Sequence, residues 1–499
     1  MAVTYTPTAT TGFVGNDRVL FGIIFGVLAF WLFAQTTLNI APVMAQDLGV
    51  ETNVMNIAVS ITALFSGIFI VVIGGLADRI GRVKTVMWGF ILSIAGSLLV
   101  GLAPAGALAE TFLMIGRVLQ GLSGAFIMPA SLALIKAYWD GPARQRAVSL
   151  WSMGSWGGSG FAALFGGLMA QNVGWRWIFI AGAALSLIGM VMVRGTPESK
   201  AQTRGAYKFD TAGVVTFMVA MVALQVFATQ GGNFGWFSLP TIGLLVISVI
   251  FGFLFFRAEA GNPSAFVDFG LFRNMTYTGA TISNFLLNAT AGILIVAMSL
   301  VQLGGDMTAQ EAGLLTVGYA ITIVAFIRVG EKLLQRFGPR RPMIWGGLIV
   351  ALAIALLLPT NMLLENYRYL VIVAFSLFGL GLGFYATPST DAALAALPED
   401  QSGSGSGLYK MASSLGASFG VAISATVFSA ISAGGSVQWL EGAISYLGRQ
   451  DNLAVREAAF FAFLVNLVLA ILAIISVMVT IPKTKPGEVA DTGEDLRND

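Results

Sequence analysis

Apolar runs of about 20 residues recur fourteen times along the 499 residues of this chain. A helix of about that length crosses the roughly 30 Å hydrocarbon core of a bilayer. Because 56% of the residues are hydrophobic and only 10% are charged, too little polar material remains to coat a soluble globule. The sequence therefore predicts an all-α integral membrane protein, with helices near 19–44, 55–77, 85–104, 110–138, 146–171, 174–195, 211–229, 239–257, 276–303, 310–335, 342–360, 367–396, 404–431 and 456–481.

The basic residues indicate how the chain is oriented, because Lys and Arg near helix ends are retained on the cytoplasmic side. Residues 1–17 lack the basic start and the cleavage site of a secretory signal, so the N-terminus is expected to stay in the cytosol uncut. From that start, most of the 27 Lys and Arg residues fall in cytosolic segments. This asymmetry predicts an even number of helices and both termini inside.

The longest cytosolic segment, at about 195–210, is the predicted boundary between two halves, and it contains Pro197, Lys200, Arg204 and Lys208. Two further helices follow it before the second half begins. The predicted organisation is an N-terminal six-helix bundle at 1–195, a linker with two extra transmembrane helices at 196–265, a C-terminal six-helix bundle at 266–482 and a disordered cytosolic tail at 483–499.

A charged segment, VVIGGLADRIGRVKTVMWG at 71–89, interrupts the apolar pattern between the second and third helices. Asp78 precedes Arg82 by four residues, which is within pairing reach if the turn is helical, and the glycines before it allow close approach of a neighbouring backbone. A solvated loop would also explain these residues. However, a second Arg-x-Gly core places Arg336 257 positions beyond Arg79, as expected of transporters built from two related bundles.

The stretch from Gly74 to Arg82 resembles the cytosolic signature of the major facilitator superfamily. Two further stretches, RVLQGLSG at 117–124 and the Gly-rich fifth helix followed by WRWIF at 175–179, are similar to the family's Arg-containing and antiporter signatures. Fourteen helices resemble its drug:proton antiporter branch, and SITALFSG, WSMGSWGGSG, TGATISNFLLN, FYATPSTD and LYKMASSLGA resemble quinolone and multidrug exporters of Gram-positive bacteria.

The resemblance implies the major facilitator fold, with two six-helix bundles plus two inserted helices, in a bacterial plasma membrane. It also implies a cytosolic gate in which Asp78 meets a helix N-terminus of the other half, where the helix dipole stabilises an anion. The implied gate residues are Gly75, Asp78, Arg79, Gly81 and Arg82.

Two positions depart from the pattern of this branch. Ala34 stands where an Asp is expected on the first helix, and Ala162 and Ala163 replace the Gly-Pro of the antiporter signature on the fifth helix. The hypothesis of proton coupling therefore requires another ionisable residue to carry the proton, and without one it must be dropped.

Ionisable residues at membrane depth are costly, and they usually mark a pathway or a buried pair. Arg117 shares a helical face with Gln120, so it is expected to face the bundle interior, either sensing protonation or serving as a structural cation satisfied by carbonyls and amides. Arg328 and Glu331 lie one turn apart and are expected to form an ion pair, which either takes part in coupling or is an interfacial pair.

Asp391 and Lys410 are the remaining coupling candidates. Asp391 follows Tyr385 and Pro388 in the inner part of the twelfth helix and is the favoured proton carrier, although a partly hydrated carboxylate would fit as well. Lys410 lies on the thirteenth helix and is either a counter-ion, plausibly for Asp391, or an amine that exchanges protons. A lysine there favours zwitterionic or anionic substrates such as fluoroquinolones.

Polar and aromatic residues on several helices could line a central cavity, in keeping with pockets that are mostly apolar with a few polar anchors. The same residue types also hold membrane helices together and fill cores. The candidate substrate-binding residues are Gln35, Asn39, Gln120, Phe126, Trp156, Asn284, Asn288, Tyr385 and Tyr409.

The sequence contains no motif that indicates enzyme activity. The chain has no Cys and no His, which removes thiolate and imidazole metal sites, and GSGSG at 403–407 lacks the Lys-Ser/Thr of a phosphate-binding loop. No enzyme activity, cofactor, metal or nucleic-acid partner is predicted.

The sequence thus predicts a monomeric, proton-coupled multidrug exporter whose partners are drug-like small molecules, protons and the lipid bilayer. The alternative is an exporter of a physiological solute, such as a lipid precursor, a siderophore or a metabolite, with incidental drug efflux. A receptor without transport on the same scaffold would not need the repeated gate.

Overall fold

The computed structural model describes residues 13–201, 210–260, 262, 265, 267–434 and 445–483. In this part of the chain, fourteen long helical segments form the architecture, and no strand occurs there. In chain order they are α1 (Asp17–Leu28, Ala29–Phe33, Ala34–Thr36 and Thr37–Leu48), α2 (Thr52–Ile80), α3 (Arg82–Gly101), α4 (Ala109–Tyr138), α5 (Gly141–Ser152, Met153–Gly157 and Gly158–Asn172), α6 (Trp175–Val193), α7 (Thr211–Phe234), α8 (Leu239–Glu259), α9 (Met275–Ala289, Gly292–Ser299 and Leu300–Gly304), α10 (Ala309–Leu314 and Val317–Phe337), α11 (Arg340–Ala355), α12 (Leu364–Ala396), α13 (Ser402–Gly434) and α14 (Leu453–Thr480). Of the predicted tail at 483–499, residues 484–499 lie outside the described residues.

Twelve helices of the described chain are long and apolar enough to cross a membrane. The other two of the fourteen are α5, which begins in a segment that carries Arg144 and Arg146, and α11, which has 16 residues. The all-helical membrane fold is therefore confirmed, and the described chain contains fourteen long helices, of which twelve have the length and hydropathy of a membrane span. The outer surface agrees, because α8 packs mainly on α7 and exposes large apolar side chains such as Val249 and Phe253, as lipid contact requires.

Glycine ends the second helix of each half. Gly81 joins α2 to α3 with a φ of +121°, and Gly338 joins α10 to α11 with a φ of +70°. Residues with a Cβ avoid these φ values. The Arg-x-Gly repeat in the sequence therefore marks the same turn in both halves.

The two halves meet along a seam formed by a few helices. α13 packs against α2 and α4, while α10 and α12 pack against α5. Within the second half, α13 also lies close to α9, because Gly416 and Gly420 face the backbone carbonyls of Phe285 and Ala289. Small residues allow membrane helices to approach closely and pack by van der Waals contact.

Two π-helical segments face the seam from the first half. Ala29–Phe33 lies within α1 and Met153–Gly157 lies within α5, and the two segments contact each other. A π-helical turn disturbs the regular hydrogen bonding of a helix and is frequent at functional sites. These irregular turns set the positions of Trp31 and Ser155, which the functional site uses.

We expect Gly420→Val to lower the free energy of unfolding by about 1–3 kcal/mol, because its side chain would collide with the backbone at Ala289. Thermal unfolding of the purified protein in detergent measures this change. The control is Gly167→Ala, since a Cβ at Gly167 meets no atom within 4 Å. Equal melting temperatures for the Gly420→Val variant and the unmodified protein would contradict the close packing of α9 and α13.

Candidate functional site

Asp78 at the end of α2 is bound by the first peptide groups of α13, a helix of the other half. The N–H of Gly403 donates to both carboxylate oxygens at 2.9 and 2.8 Å, and the N–H of Ser404 donates at 3.0 Å. Arg82 adds two charge-assisted bonds to Oδ1, at 3.0 Å from Nε and 2.9 Å from Nη2. We call Asp78, Arg82, Gly403 and Ser404 the latch. Its carboxylate is 4% exposed and is stabilised by a helix N-terminus and a guanidinium together.

The other predicted gate residues surround the latch. Gly75 is buried in the same turn of α2, and Gly81 supplies the break that allows Arg82 to start α3. Arg79 points to the other side and donates to the carbonyl of Ala265 at 3.3 Å. Asp78 and Arg82 thus lie at a contact between the halves, Gly75 and Gly81 lie beside them, and Arg79 contacts the segment that links the halves. The action of these five residues as a gate stays a prediction.

The segment after α6 forms hydrogen bonds to the latch and to the start of α3. The sequence analysis did not predict these contacts. Glu198 accepts the N–H groups of Val83 and Lys84 at 2.8 and 3.1 Å and so caps the start of α3. Ser199 accepts from Arg82 through its hydroxyl at 3.0 Å and its carbonyl at 2.8 Å. The connection to α7 thereby fixes the guanidinium that holds Asp78.

Asp391 forms a second contact across the seam, near the latch end. Its Oδ1 accepts from Nε of Arg144 on α5 at 3.0 Å. Lys136, at the end of α4, donates to the carbonyl of Leu394 at 2.6 Å and also to that of Leu397. Cations are favourable at helix C-termini, so these bonds hold the end of α12 against the first half.

Asp391 pairs with Arg144 and not with Lys410 in this structure, so the counter-ion alternative for Lys410 is not the one observed here. Lys410 lies eight residues into α13, about 12 Å along the helix at 1.5 Å per residue, whereas Asp391 lies near the end of α12 and meets Arg144. The basic segment GPARQR at 141–146 was the available signal for this partner. A basic stretch after a membrane helix, however, normally indicates only orientation.

Lys410 contacts the first half through aromatic rings. Its Nζ lies 5.6 Å from the ring centroid of Trp31 and 5.1 Å from that of Trp151, at cation–π distance. It also donates to the hydroxyl of Ser155 at a long 3.4 Å. Trp31 and Trp151 were not among the predicted site residues, because nothing in the sequence links them to a lysine more than 250 positions away.

Arg117 is fully buried inside the first half. It donates to the carbonyl of Ala58 at 2.9 Å, to that of Ala34 at 2.7 Å and to the side chain of Gln120 at 2.7 Å. Gln120 in turn donates to Ser97 at 3.2 Å. This arrangement agrees with the interpretation of Arg117 as a structural cation. At Ala34, where the resemblance led us to expect an Asp side chain, Arg117 donates to the backbone carbonyl instead.

Arg328 and Glu331 form the expected ion pair within α10, and Gln335 donates to Glu331 at 3.3 Å. Both residues of the pair belong to one helix, so the pair does not join the halves. A role in coupling is not tested by this geometry.

Several predicted substrate-binding residues form one hydrogen-bond network inside the second half. Asn284 donates to Ser413 at 2.6 Å and to the carbonyl of Tyr409 at 3.0 Å, and Asn288 donates to Asn284. The hydroxyls of Tyr385 and Tyr409 share the hydroxyl of Ser389, at 3.0 and 2.9 Å. These contacts join α9, α12 and α13, which favours the interpretation as helix packing in the present conformation.

The remaining candidates lie in the first half. Gln35 and Phe126 are half-buried, and Trp156 is buried in the π-helical segment of α5. The side chain of Asn39 lies outside the described residues. Contact of any of these residues with a substrate stays a prediction.

The opposite end of the bundle carries ion pairs within each half. Asp47 pairs with Arg176 in the first half, and Arg449 pairs with Asp306 and Asp451 in the second. The hydrogen bond from Arg449 lowers the pKa of the Asp451 carboxyl below its usual value. The ion pair and the helix-end hydrogen bonds between the halves lie instead at the latch end, so the described conformation is closed there.

Comparison with known proteins places this geometry in a family. A family model described as Major Facilitator Superfamily matches residues 20–276 and 280–498. The chain is 43% identical over 471 residues to the quinolone resistance protein NorB of Staphylococcus aureus strain COL, covering 94% of this chain and 97% of the relative. It is 46% identical over 420 residues to the NorB of strain MRSA252, covering 84% and 90%.

A solved structure supports the fold alone. The proton:xylose symporter XylE, bound to 6-bromo-6-deoxy-D-glucose, superposes with a TM-score of 0.60 at 15% identity, covering 94% of this chain and 95% of that chain. With the family match over nearly the whole sequence, these observations identify the chain as a member of the Major Facilitator Superfamily, a membrane-embedded multi-pass transporter and not an enzyme.

Proposed function

We propose that this protein is a proton-coupled exporter of fluoroquinolones and other amphiphilic compounds, and that it works by alternating access as a monomer in a bacterial plasma membrane. The observation that carries the substrate class is the identity of 43–46% to quinolone resistance proteins over most of both chains. The helix order supports two six-helix bundles at 1–195 and 266–482, with α7 and α8 inserted between them.

The latch end faces the cytoplasm in this proposal. Basic residues gather at this end, including Lys84 and Arg146 of the first half and Lys332 and Arg341 of the second. Lys and Arg near helix ends are retained on the cytoplasmic side, which puts both termini there as well. The described conformation is then the one closed to the cytoplasm.

Alternating access requires that the latch open and close. Opening would withdraw the Gly403 and Ser404 N–H groups from Asp78 and leave the carboxylate to Arg82 and water. A charge-assisted hydrogen bond contributes about 1.5–3 kcal/mol, so the two N–H groups together contribute roughly 3–6 kcal/mol, comparable to the few kcal/mol that separate conformations of one protein. The latch can therefore hold one state without making the other inaccessible.

Proton coupling is supported by the contact between Asp391 and Arg144. Protonation of Asp391 would remove the negative charge from a pair whose acid side chain is 6% exposed and would release α5 from α12. Loss of the proton to the cytoplasm would restore the pair and favour closure. Proton uptake and opening of the latch end are thereby linked through one carboxylate.

Transport by reconstituted protein tests the function directly. We expect proteoliposomes to move norfloxacin when a pH gradient is imposed and to stop when an ionophore collapses the gradient, because the proton supplies the driving force. The measurement is the initial rate of norfloxacin transport, with protein-free liposomes as the control. The same rate with and without the gradient would contradict proton coupling, and no transport of norfloxacin would contradict the substrate class.

Asp78→Asn tests the latch, because it removes the charge that the α13 N-terminus binds. A cysteine at Ser406, which is 1% exposed and donates to the carbonyl of Pro129 across the seam, reports opening, and the chain has no other cysteine. In inside-out vesicles we expect Asp78→Asn to raise the rate of maleimide labelling about tenfold or more.

Asp140→Asn is the control for this experiment, since Asp140 is an exposed carboxylate near the same end of the bundle. Its labelling rate should equal that of the parent carrying the cysteine. An unchanged rate in the Asp78→Asn variant would show that the latch does not hold the seam closed.

Asp391→Asn tests whether Asp391 carries the coupled proton. We expect this variant to bind norfloxacin with the parental Kd but to lose the dependence of transport on the pH gradient, because an amide carries no proton. Arg144→Gln removes the same ion pair and leaves the carboxylate, so it should also lose gradient dependence, because protonation of Asp391 acts by breaking this pair. The measurements are norfloxacin binding in detergent and transport in proteoliposomes at several gradients.

Asp400→Asn serves as the matched control, because Asp400 is an exposed carboxylate that follows α12 by a few residues. Gradient dependence that survives in Asp391→Asn would exclude Asp391 as the proton carrier. Gradient dependence that survives in Arg144→Gln would show that coupling does not need the ion pair and depends on the carboxylate alone.

A further inference from the structure

Lys410 reaches from α13 into a group of aromatic and hydroxyl side chains of the first half. We call Lys410, Trp31, Trp151 and Ser155 the Lys410 cage. The lysine is 3% exposed, and its Nζ lies over the faces of both tryptophans, at 5.6 and 5.1 Å from their ring centroids. The cage thus joins α1, α5 and α13 at the seam.

The ammonium group in the cage lacks a full set of acceptors. An ammonium has three N–H donors, and the hydrogen bond to Ser155 spans 3.4 Å. Within the described part of the chain, no carboxylate lies within 4.0 Å of Nζ to form an ion pair. Cation–π contacts offset part of the cost of burying the charge, but a buried cation without a partner remains unfavourable.

A second donor in the cage also lacks a partner. The indole Nε1 of Trp31 is buried and makes no hydrogen bond within the described part of the chain. Trp31 belongs to the first half and Lys410 to the second, so two buried donors from different halves meet in one place. Buried donors are nearly always satisfied in proteins, and an exception calls for an explanation.

Partners within the protein do not provide that explanation. Asp391 is engaged by Arg144 at 3.0 Å. Arg117, a buried cation inside the first half, has carbonyl and amide acceptors at 2.7–2.9 Å on Nε and Nη1, although its Nη2 has none within the described part of the chain. The Lys410 cage differs because its donors converge with aromatic faces and no anion.

We propose that the Lys410 cage binds the carboxylate of zwitterionic or anionic aromatic substrates. The carboxylate accepts from Nζ of Lys410 and from Nε1 of Trp31, while the half-buried ring of Trp31 contacts the aromatic part of the molecule. This inference rests on the proposed function, because it takes the ligand to be the transported compound. It adds that a negative charge on the compound determines its affinity.

Binding of norfloxacin and of its methyl ester to the purified full-length protein tests the cage. The two compounds differ in the carboxylate, which the ester lacks. We expect the unmodified protein to bind the acid about tenfold or more tightly than the ester, because a charge-assisted hydrogen bond contributes at least that factor. Titration calorimetry in detergent gives both Kd values without requiring transport.

Lys410→Gln should abolish the preference for the acid and leave the Kd of the ester unchanged. Lys332→Gln is the matched control, since Lys332 is an exposed lysine at the latch end, and it should keep the preference. Trp31→Phe retains an aromatic face but removes the indole N–H, so it should weaken binding of the acid alone by a few-fold, and it tests the cage even if Lys410→Gln fails to fold.

Equal affinity of the unmodified protein for acid and ester would overturn the proposal. So would a Lys410→Gln variant that weakens both compounds equally, because that result would assign Lys410 a structural role. A preference for the acid without norfloxacin transport would contradict the proposed function but leave the cage intact. Norfloxacin transport without a preference for the acid would support the proposed function but contradict the cage.

Discussion

A buried carboxylate is stable only where enough donors surround it, and at Asp78 those donors come from both halves of the molecule. Arg82 follows it by four residues, but the N–H groups of Gly403 and Ser404 belong to α13. The carboxylate is therefore fully satisfied only when the halves touch at this end. The contacts of Lys136 and Arg144 with α12 and its C-terminal end lie at the same end of the seam.

The seam is asymmetric although the two halves are related by a repeat. Gly81 and Gly338 make the same turn, yet the second half has no carboxylate in the place of Asp78, since the position 257 residues later is Gln335. The matching side of the seam is held by cations of the first half, which reach a carboxylate and helix-end carbonyls on α12. One side thus binds an anion to a helix start, and the other binds cations to a helix end.

The length of the apolar runs was enough to predict the helices, because crossing a bilayer demands that length whatever the packing. The contact between Asp78 and the other half was predictable from its signature, in which charge and glycine spacing are local. The π-helical turns and the partners of Asp391 and Lys410 were not. They depend on contacts between residues that are far apart in sequence, such as Trp151 and Lys410, which no local pattern encodes.

The irregular helix α1 contacts two buried cations, Arg117 and Lys410, in different ways. In α1, the turns around Ala29–Phe33 direct the carbonyl of Ala34 to Arg117 and the ring of Trp31 to Lys410. Arg117 is bound by short hydrogen bonds within one half, so a movement of the halves against each other leaves these bonds in place. Lys410 is held across the seam by aromatic faces, which impose weaker directional demands than hydrogen bonds do. A ligand that binds Lys410 and Trp31 together therefore acts on the contact between the halves without disturbing the polar core beside it.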